Sequence, residues 1–356
     1  MRTLGVIAFL AAGTLFAAEG AKAGKVHLQS AGPMAFGPNG VLFVGDSVQA
    51  AVLAIETGDT AAKAAVPFEI KGINGKVAEA LGAAPDQILI NDVIVNPASK
   101  NVYLSVAKGK GPDAEAHILR TDASGKITKV DLSNAKHSMV SLPDAPDASA
   151  KDRRGQSLGV ETITDLHYVD GRVFVAGLSN EEFSSSLRAI PYPFTSTVKT
   201  AGIEIFHGAH GRFETNAPVR TFVPYKVKGE DFILAAYTCT PLVKIPVSSL
   251  QPGAKVKGKT IAELGNRNRP LDMIVYSKGG KDYLLMANSS RGVMKLPAAN
   301  LDQYEAITAQ TEKQGVPYET IESLKGIQQL DKLDEAHAVV LADADGSMDL
   351  RAILLP

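Results

Sequence analysis

The feature that most restricts what this chain can become is a loose internal repeat of paired strands. Six segments share one grammar: PMAFGPNGVLFVGDS, NDVIVNPASKNVYLSVA, TDLHYVDGRVFVAGLS, FVPYKVKGEDFILAAYT, LDMIVYSKGGKDYLLMANS and IQQLDKLDEAHAVVLAD. In each, an alternating apolar run leads through a turn rich in Gly, Asn, Asp or Lys into a second run that ends in small residues. Their first strands align at Met34, Asp92, Asp165, Tyr225, Asp272 and Gln328. A short strand pair cannot bury its own apolar face, so such units must pack on their neighbours.

Each unit continues into a third strand: AVLAIE, HILRTD, GIEIFH, PLVKIP, GVMKLP and DLRAIL. Fourth strands are offered by VPFEI, KITKVDL, RFETN, KTIAEL and YETIESL, but the chain ends at Pro356 before the sixth unit can make one. The run KVHLQS at 25–30 is left over at the other end. The expectation is an all-β, six-bladed β-propeller with four-stranded blades, in which this N-terminal strand completes the last blade and closes the ring, because closure hides sheet edges. Seven blades also fit if the stretch 131–160 conceals another.

Residues 1–23 read as a signal peptide: Arg2 gives the positive start, an apolar run follows, and Ala21-Lys22-Ala23 offers a small-x-small cleavage site, with cleavage after Ala18 as an alternative. No later stretch approaches the roughly 20 apolar residues of a membrane span. The mature chain, 24–356, is then a single domain in a periplasmic or secreted setting. The 37 basic and 38 acidic residues carry no long run of one sign, which removes the footprint nucleic-acid binding needs. One cysteine excludes an internal disulfide and any CxxC site.

In this register the starts of the first strands share a face with the loops between second and third strands. That places Asp92, Asp165 and Asp272 at matched positions near the axis, beside Asn91 and the run Gly265-Asn266-Arg267-Asn268-Arg269. Returning loops add Asp46, Asn180, Cys239, Asn288 and Asp343, with Tyr237 just before the cysteine. Converging carboxylates repel unless a cation or arginine neutralises them, so Asn91, Asp92, Asp165 and Asp272 are candidate metal ligands, and the three aspartates candidate bases. The alternative is that the aspartates only bond backbone amides at the starts of strands.

The strand pairs, GPMAFGPNGVLFVGDS and NDVIVNPASKNVYLSVA above all, resemble those of six-bladed propellers in the grouping of NHL repeats and the senescence-marker-protein, gluconolactonase and paraoxonase enzymes. That resemblance implies a divalent cation, calcium first, held by a glutamate of the first blade and by Asn or Asp residues of others, with Asn91-Asp92 matching the Asn-Asp of the pattern. This chain departs from it at Ser30-Ala31-Gly32-Pro33, where those enzymes carry Glu before Gly-Pro. Asp46 or Asp343 would have to substitute.

Cys239, in Tyr237-Thr238-Cys239-Thr240-Pro241, reads either as a small buried residue or as a soft-metal or nucleophilic thiol. His207 and His210 would suit copper beside it. The strand count, however, sets that pair between a third and a fourth strand on the opposite face, as a turn. Arg267 and Arg269 suit a carboxylate or phosphate, or an ion pair with Asp272. Residues 179–200 read as a lid-like insertion over the binding face, and 75–81 and 300–314 as helical connections. No GxSxG, Walker, dinucleotide, HExxH or CxxCH signature is present.

Three functions remain open. The first is a non-catalytic protein that binds a small ligand or a periplasmic partner on its axial face, with Arg267, Asn268, Arg269, Asn288, Tyr237 and Cys239 as the binding set. The second is a cation-dependent hydrolase of a lactone or ester. The third is a redox or copper-handling protein centred on Cys239.

Overall fold

A computed structural model describes residues 19–356, so the expected signal peptide lies mostly outside the described residues. Six small antiparallel sheets form the blades of a propeller. Numbered along the chain, their inner strands are Met34–Phe36 (blade I), Ile88–Val95 (II), Asp165–Val169 (III), Val219–Val227 (IV), Pro270–Lys278 (V) and Ile327–Lys332 (VI). Two-residue turns fix several hairpins. Asp170-Gly171 and Lys228-Gly229 hold positive φ at both positions, which suits the right-handed twist of the strands they join.

The order around the ring is not the order along the chain. Blade I sits between II and III, and blade II between I and VI. Each of six apolar clusters lies between two neighbouring blades. Leu42, Val44 and Tyr103 join I to II; Val102, Leu104 and Val339 join II to VI; Phe43, Val175 and Leu166 join I to III. The remaining clusters link III to IV, IV to V and V to VI. Blade II is an insertion into blade I: the chain makes three strands of blade I, builds blade II, then returns with Ala135–Ser141 as the fourth strand of blade I.

Four sequence expectations change. A strand from early in the chain does complete the last blade, but it is Glu69–Ile70, paired with Ser347–Leu354, rather than residues 25–30. Residues 25–30 form no strand, and Asp46 ties them to blade I by accepting from Gln29 N (2.7 Å) and Ser30 Oγ (2.7 Å). Blades I, III and IV exceed four strands; Glu19–Gly24 is the outer, fifth strand of blade I. Residues 300–314 contain no helix, whereas Ile73–Leu81 is one.

The fourth change matters most. The supposed lid contains Ser185–Pro191, the third strand of blade III, which pairs with Arg172–Leu178. Leu187 and Arg188 are buried within it, and Arg188 holds buried Asp144 at 2.6 Å. Ala201–His207 is therefore a fourth strand rather than a third. Because strands alternate in direction, this reverses the face on which His207 ends.

Candidate metal centre

Sequence reasoning expected Asp92, Asp165 and Asp272 to meet at the axis. All three line one axial cavity of about 240 Å³, together with Asp331, which sequence reasoning missed although Leu330-Asp331 repeats the Leu271-Asp272 of the preceding unit. Each carboxylate staples two strands. Asp92 accepts from Val93 N (2.8 Å) and from Met34 N of blade I (2.7 Å). Asp165 accepts from Leu166 N and Phe222 N, Asp272 from Met273 N and Leu330 N, and Asp331 from Lys332 N and Val95 N, all at 2.7–2.8 Å. One oxygen grips its own strand and the other the next blade, in the same rotational sense at four of the six junctions.

These groups are electrostatically uncomfortable. Burial, reinforced for Asp92 by Asp165 and Asp331, pushes Asp92 up to about 7. Burial takes Asp165 to about 7 and Asp331 to about 6, and burial with the charges of Asp92 and Asp165 holds Asp272 well above its ordinary range. Burial lowers His167, which lines the same cavity, to about 4 and so keeps it neutral. With its amide turned to satisfy both neighbours, Gln329 donates to Asp92 Oδ1 (3.2 Å) and Asp272 Oδ2 (2.9 Å). Asn91 points its amide at Ala31 O (2.8 Å). Each axial carboxylate thus bonds two backbone amides, and Asp92 and Asp272 also meet one glutamine.

Among the described residues, the group that gathers His, Cys or carboxylate ligand atoms within 4.8 Å of one another is His207, His210 and Cys239. The fourth strand of blade III carries His207 to the face where the loop after the second strand of blade IV presents Cys239. The expectation that the histidine pair lies on the opposite face is overturned, because it rested on a count one strand short.

Local structure holds the three side chains in place. His207-Gly208-Ala209-His210 forms one short turn, and the imidazoles lie 3.9 Å apart between centroids. Glu214, on the next strand, takes Nδ1 of His207 on one oxygen and Nδ1 of His210 on the other, both at 2.8 Å, with Arg212 Nε at 3.0 Å. Burial pushes against ionisation of Glu214, but bonds from His207, His210 and Arg212 bring it down to about 2. As a carboxylate it can only accept, so each imidazole donates from Nδ1, which leaves Nε2 as the lone-pair nitrogen of the neutral ring. Nε2 of His207, which is 3% exposed, has no partner. Glu263 clamps the turn from blade IV by accepting from Gly208 N at 2.6 Å; burial raises it to about 8.

Cys239 and Thr240 both adopt positive φ, 64° and 58°, a costly conformation for side-chain-bearing residues. The turn is secured from blade V: Cys239 N donates to Asn268 O (2.7 Å) and Thr240 Oγ1 to Gly265 O (2.7 Å). This explains two other predicted site residues. Buried Asn268 and Asn288 bond each other at 2.8 Å and hold the Gly265–Arg269 loop against the cysteine turn. Tyr237 is wholly buried in the core between blades III and IV. Arg267 and Arg269 are exposed. Arg269 does not pair with Asp272; the partly buried portion of its side chain, and then nearby Arg220, lower its pKa, with Glu161 opposing.

No protein-family model matches the chain, and no curated protein matches it. Solved structures do. A PQQ-bound aldose sugar dehydrogenase from Streptomyces coelicolor is similar over 95% of this chain and 98% of its own, with 10% identity and a TM-score of 0.39. A putative oxidoreductase (glucose dehydrogenase) from Thermus thermophilus is similar over 94% and 100%, with 11% identity and 0.36. Drosophila Plexin A, in complex with Semaphorin 1b, is similar over 95% and 88%, with 9% identity and 0.36. Neighbours this different in their described roles assign none of those roles to this chain.

Proposed function

We propose that this propeller is a copper-binding protein whose centre is His207, His210 and Cys239. The observation that carries the reading is the buried, partnerless Nε2 of His207, a residue that has a ligand atom within 4.8 Å of those of His210 and Cys239. A buried polar atom without a partner is costly, and a bound ion supplies that partner. Two imidazoles with one thiolate form a set suited to copper, whereas structural zinc sites close with four protein ligands. The leader read at 1–23 adds support, since it would deliver the lone thiol to an oxidising compartment, where metal ligation protects it.

The test is a copper titration of the purified, chelator-treated protein with elemental analysis of the product. One tightly held copper per chain is expected, lost in both Cys239→Ser and His210→Ala. Copper taken up equally by the parent chain and both variants, or by none of them, would sink the proposal. Stoichiometric zinc that copper does not displace would replace copper with zinc at the same residues.

A further inference from the structure

Resting on the copper reading, we infer that the loaded centre keeps one coordination position open to solvent and takes a small anion there. The protein supplies three ligands, and no fourth His, Cys or carboxylate atom among the described residues joins the group within 4.8 Å. Both oxygens of Glu214 are occupied by the two histidine Nδ1 atoms, and one of them also by Arg212. Glu263 is tied through Oε1 to Gly208 N; its Oε2 is buried without a partner but is not among the atoms gathered within 4.8 Å. The Cys239 turn is fixed by its bonds to the Gly265–Arg269 loop, so it cannot swing to bring another residue in.

Exposure falls on one side of the cluster. His207 is 3% exposed at its base, the His210 side chain is 43% exposed, and Cys239 is half-buried. A site with three protein ligands and a solvent-facing side matches the open coordination of reactive or exchangeable metal centres rather than closed structural ones.

The sign of the rim selects the occupant. Four arginines stand within a link or two of the ligands. Arg212 bonds Glu214, and Arg220 bonds Oγ1 of Thr238, the residue before Cys239. Arg267 and Arg269 flank Asn268, whose carbonyl holds Cys239 N. Glu214 and Glu161, the carboxylates on these arginines, offset part of that charge, Glu161 through its 2.5 Å pair with Arg220. No ion pair is made by Arg267 or Arg269 among the described residues. A small anion therefore gains attraction from the rim in addition to its bond to the metal, whereas a neutral donor gains only the bond.

The experiment uses the full copper(II)-loaded protein, titrated with azide and, separately, with imidazole. Azide should bind once per copper, changing the electron paramagnetic resonance spectrum and the thiolate-to-copper charge-transfer band. Arg269→Ala should weaken azide roughly threefold or more and leave imidazole binding unchanged. A copper spectrum indifferent to azide in the parent chain, but responsive in Glu263→Gln, would overturn the inference by making Glu263 the fourth ligand. Equal loss of azide and imidazole binding in Arg269→Ala would overturn the role of the rim. Failure to load copper at all would instead strike the functional proposal on which this rests.

Discussion

His207 and Cys239 belong to different blades, yet their ligand atoms lie within 4.8 Å of each other. The contact exists because an even number of strands separates His207 from the face where its blade begins. Glu214 makes the arrangement useful by holding both histidines in one tautomer. Replacing it with glutamine keeps the shape but loses one of the two acceptors. Glu214→Gln should therefore reduce copper affinity about 10- to 100-fold while leaving the fold intact. Competition titration against a chelator of known affinity, beside circular dichroism, would read both; unchanged affinity would refute the role.

The axial aspartates predict a pH dependence of stability. Their folded pKa values lie above the ordinary carboxylate range, at about 7 for Asp92 and Asp165 and about 6 for Asp331. The folded state thus binds their protons more tightly than the unfolded chain does. Their contribution is fullest below the unfolded value near pH ~4 and is lost as pH rises through about 6 to 7. Urea midpoints should accordingly fall across this window. Asp331→Asn should flatten the slope while costing roughly 1–3 kcal/mol, because an amide keeps one acceptor of the staple and not both. A slope unchanged by Asp331→Asn would show that the ring does not titrate there.

Arg188 and Asp144 distinguish a core strand from a lid. Removing the guanidinium leaves Asp144 buried without its ion partner, so Arg188→Ala should cost roughly 3–5 kcal/mol. Equilibrium denaturation measures this directly. A loss below about 0.5 kcal/mol, the scale of ordinary surface substitutions, would restore the picture of a dispensable loop.

Glu19–Gly24 pairs with Ala135–Ser141 along the outer edge of blade I. A chain beginning at Glu19 should therefore melt at a higher temperature than one beginning at Lys25. Equal melting temperatures would mean that the outer strand adds nothing. If the leader is removed in the cell, cleavage after Ala18 preserves this strand and cleavage after Ala23 destroys it, which intact mass would tell apart.

The strand pairs were legible because alternation and turn chemistry are local. Val169-Asp170-Gly171-Arg172 announces its hairpin in four residues. The aspartate positions followed from the same register, and Asp331 was within reach of it. Three things were not legible. The edge strand Glu69–Ile70 was legible as a strand within VPFEI, but its place was not: the sequence put it in the first unit, and only its distant partner assigns it to the last blade. The insertion of blade II into blade I leaves no local trace, since what defines it is the pairing of Ala135–Ser141 with Ala51–Glu56 across the whole of blade II. Ser185–Pro191 was masked by its serines and by buried Arg188, polar residues where an inner face should read apolar. That single omission changed the parity of the following strands, and with it the face assigned to both histidines.

The insertion of one blade into another also bears on how the molecule can be made. Glu69 and Ile70 are made before blade II, but their partners Arg351 and Leu350 only after all of the other blades. Blade I gains its second ring neighbour only with blade III, and blade II only with blade VI. Assembly is therefore dominated by contacts between distant parts of the sequence, which slows folding and leaves strand edges uncovered in the interim. A nascent chain of this protein cannot finish its blades in the order in which they are begun: the second is complete before the first, and the second must wait for the last to gain its other neighbour.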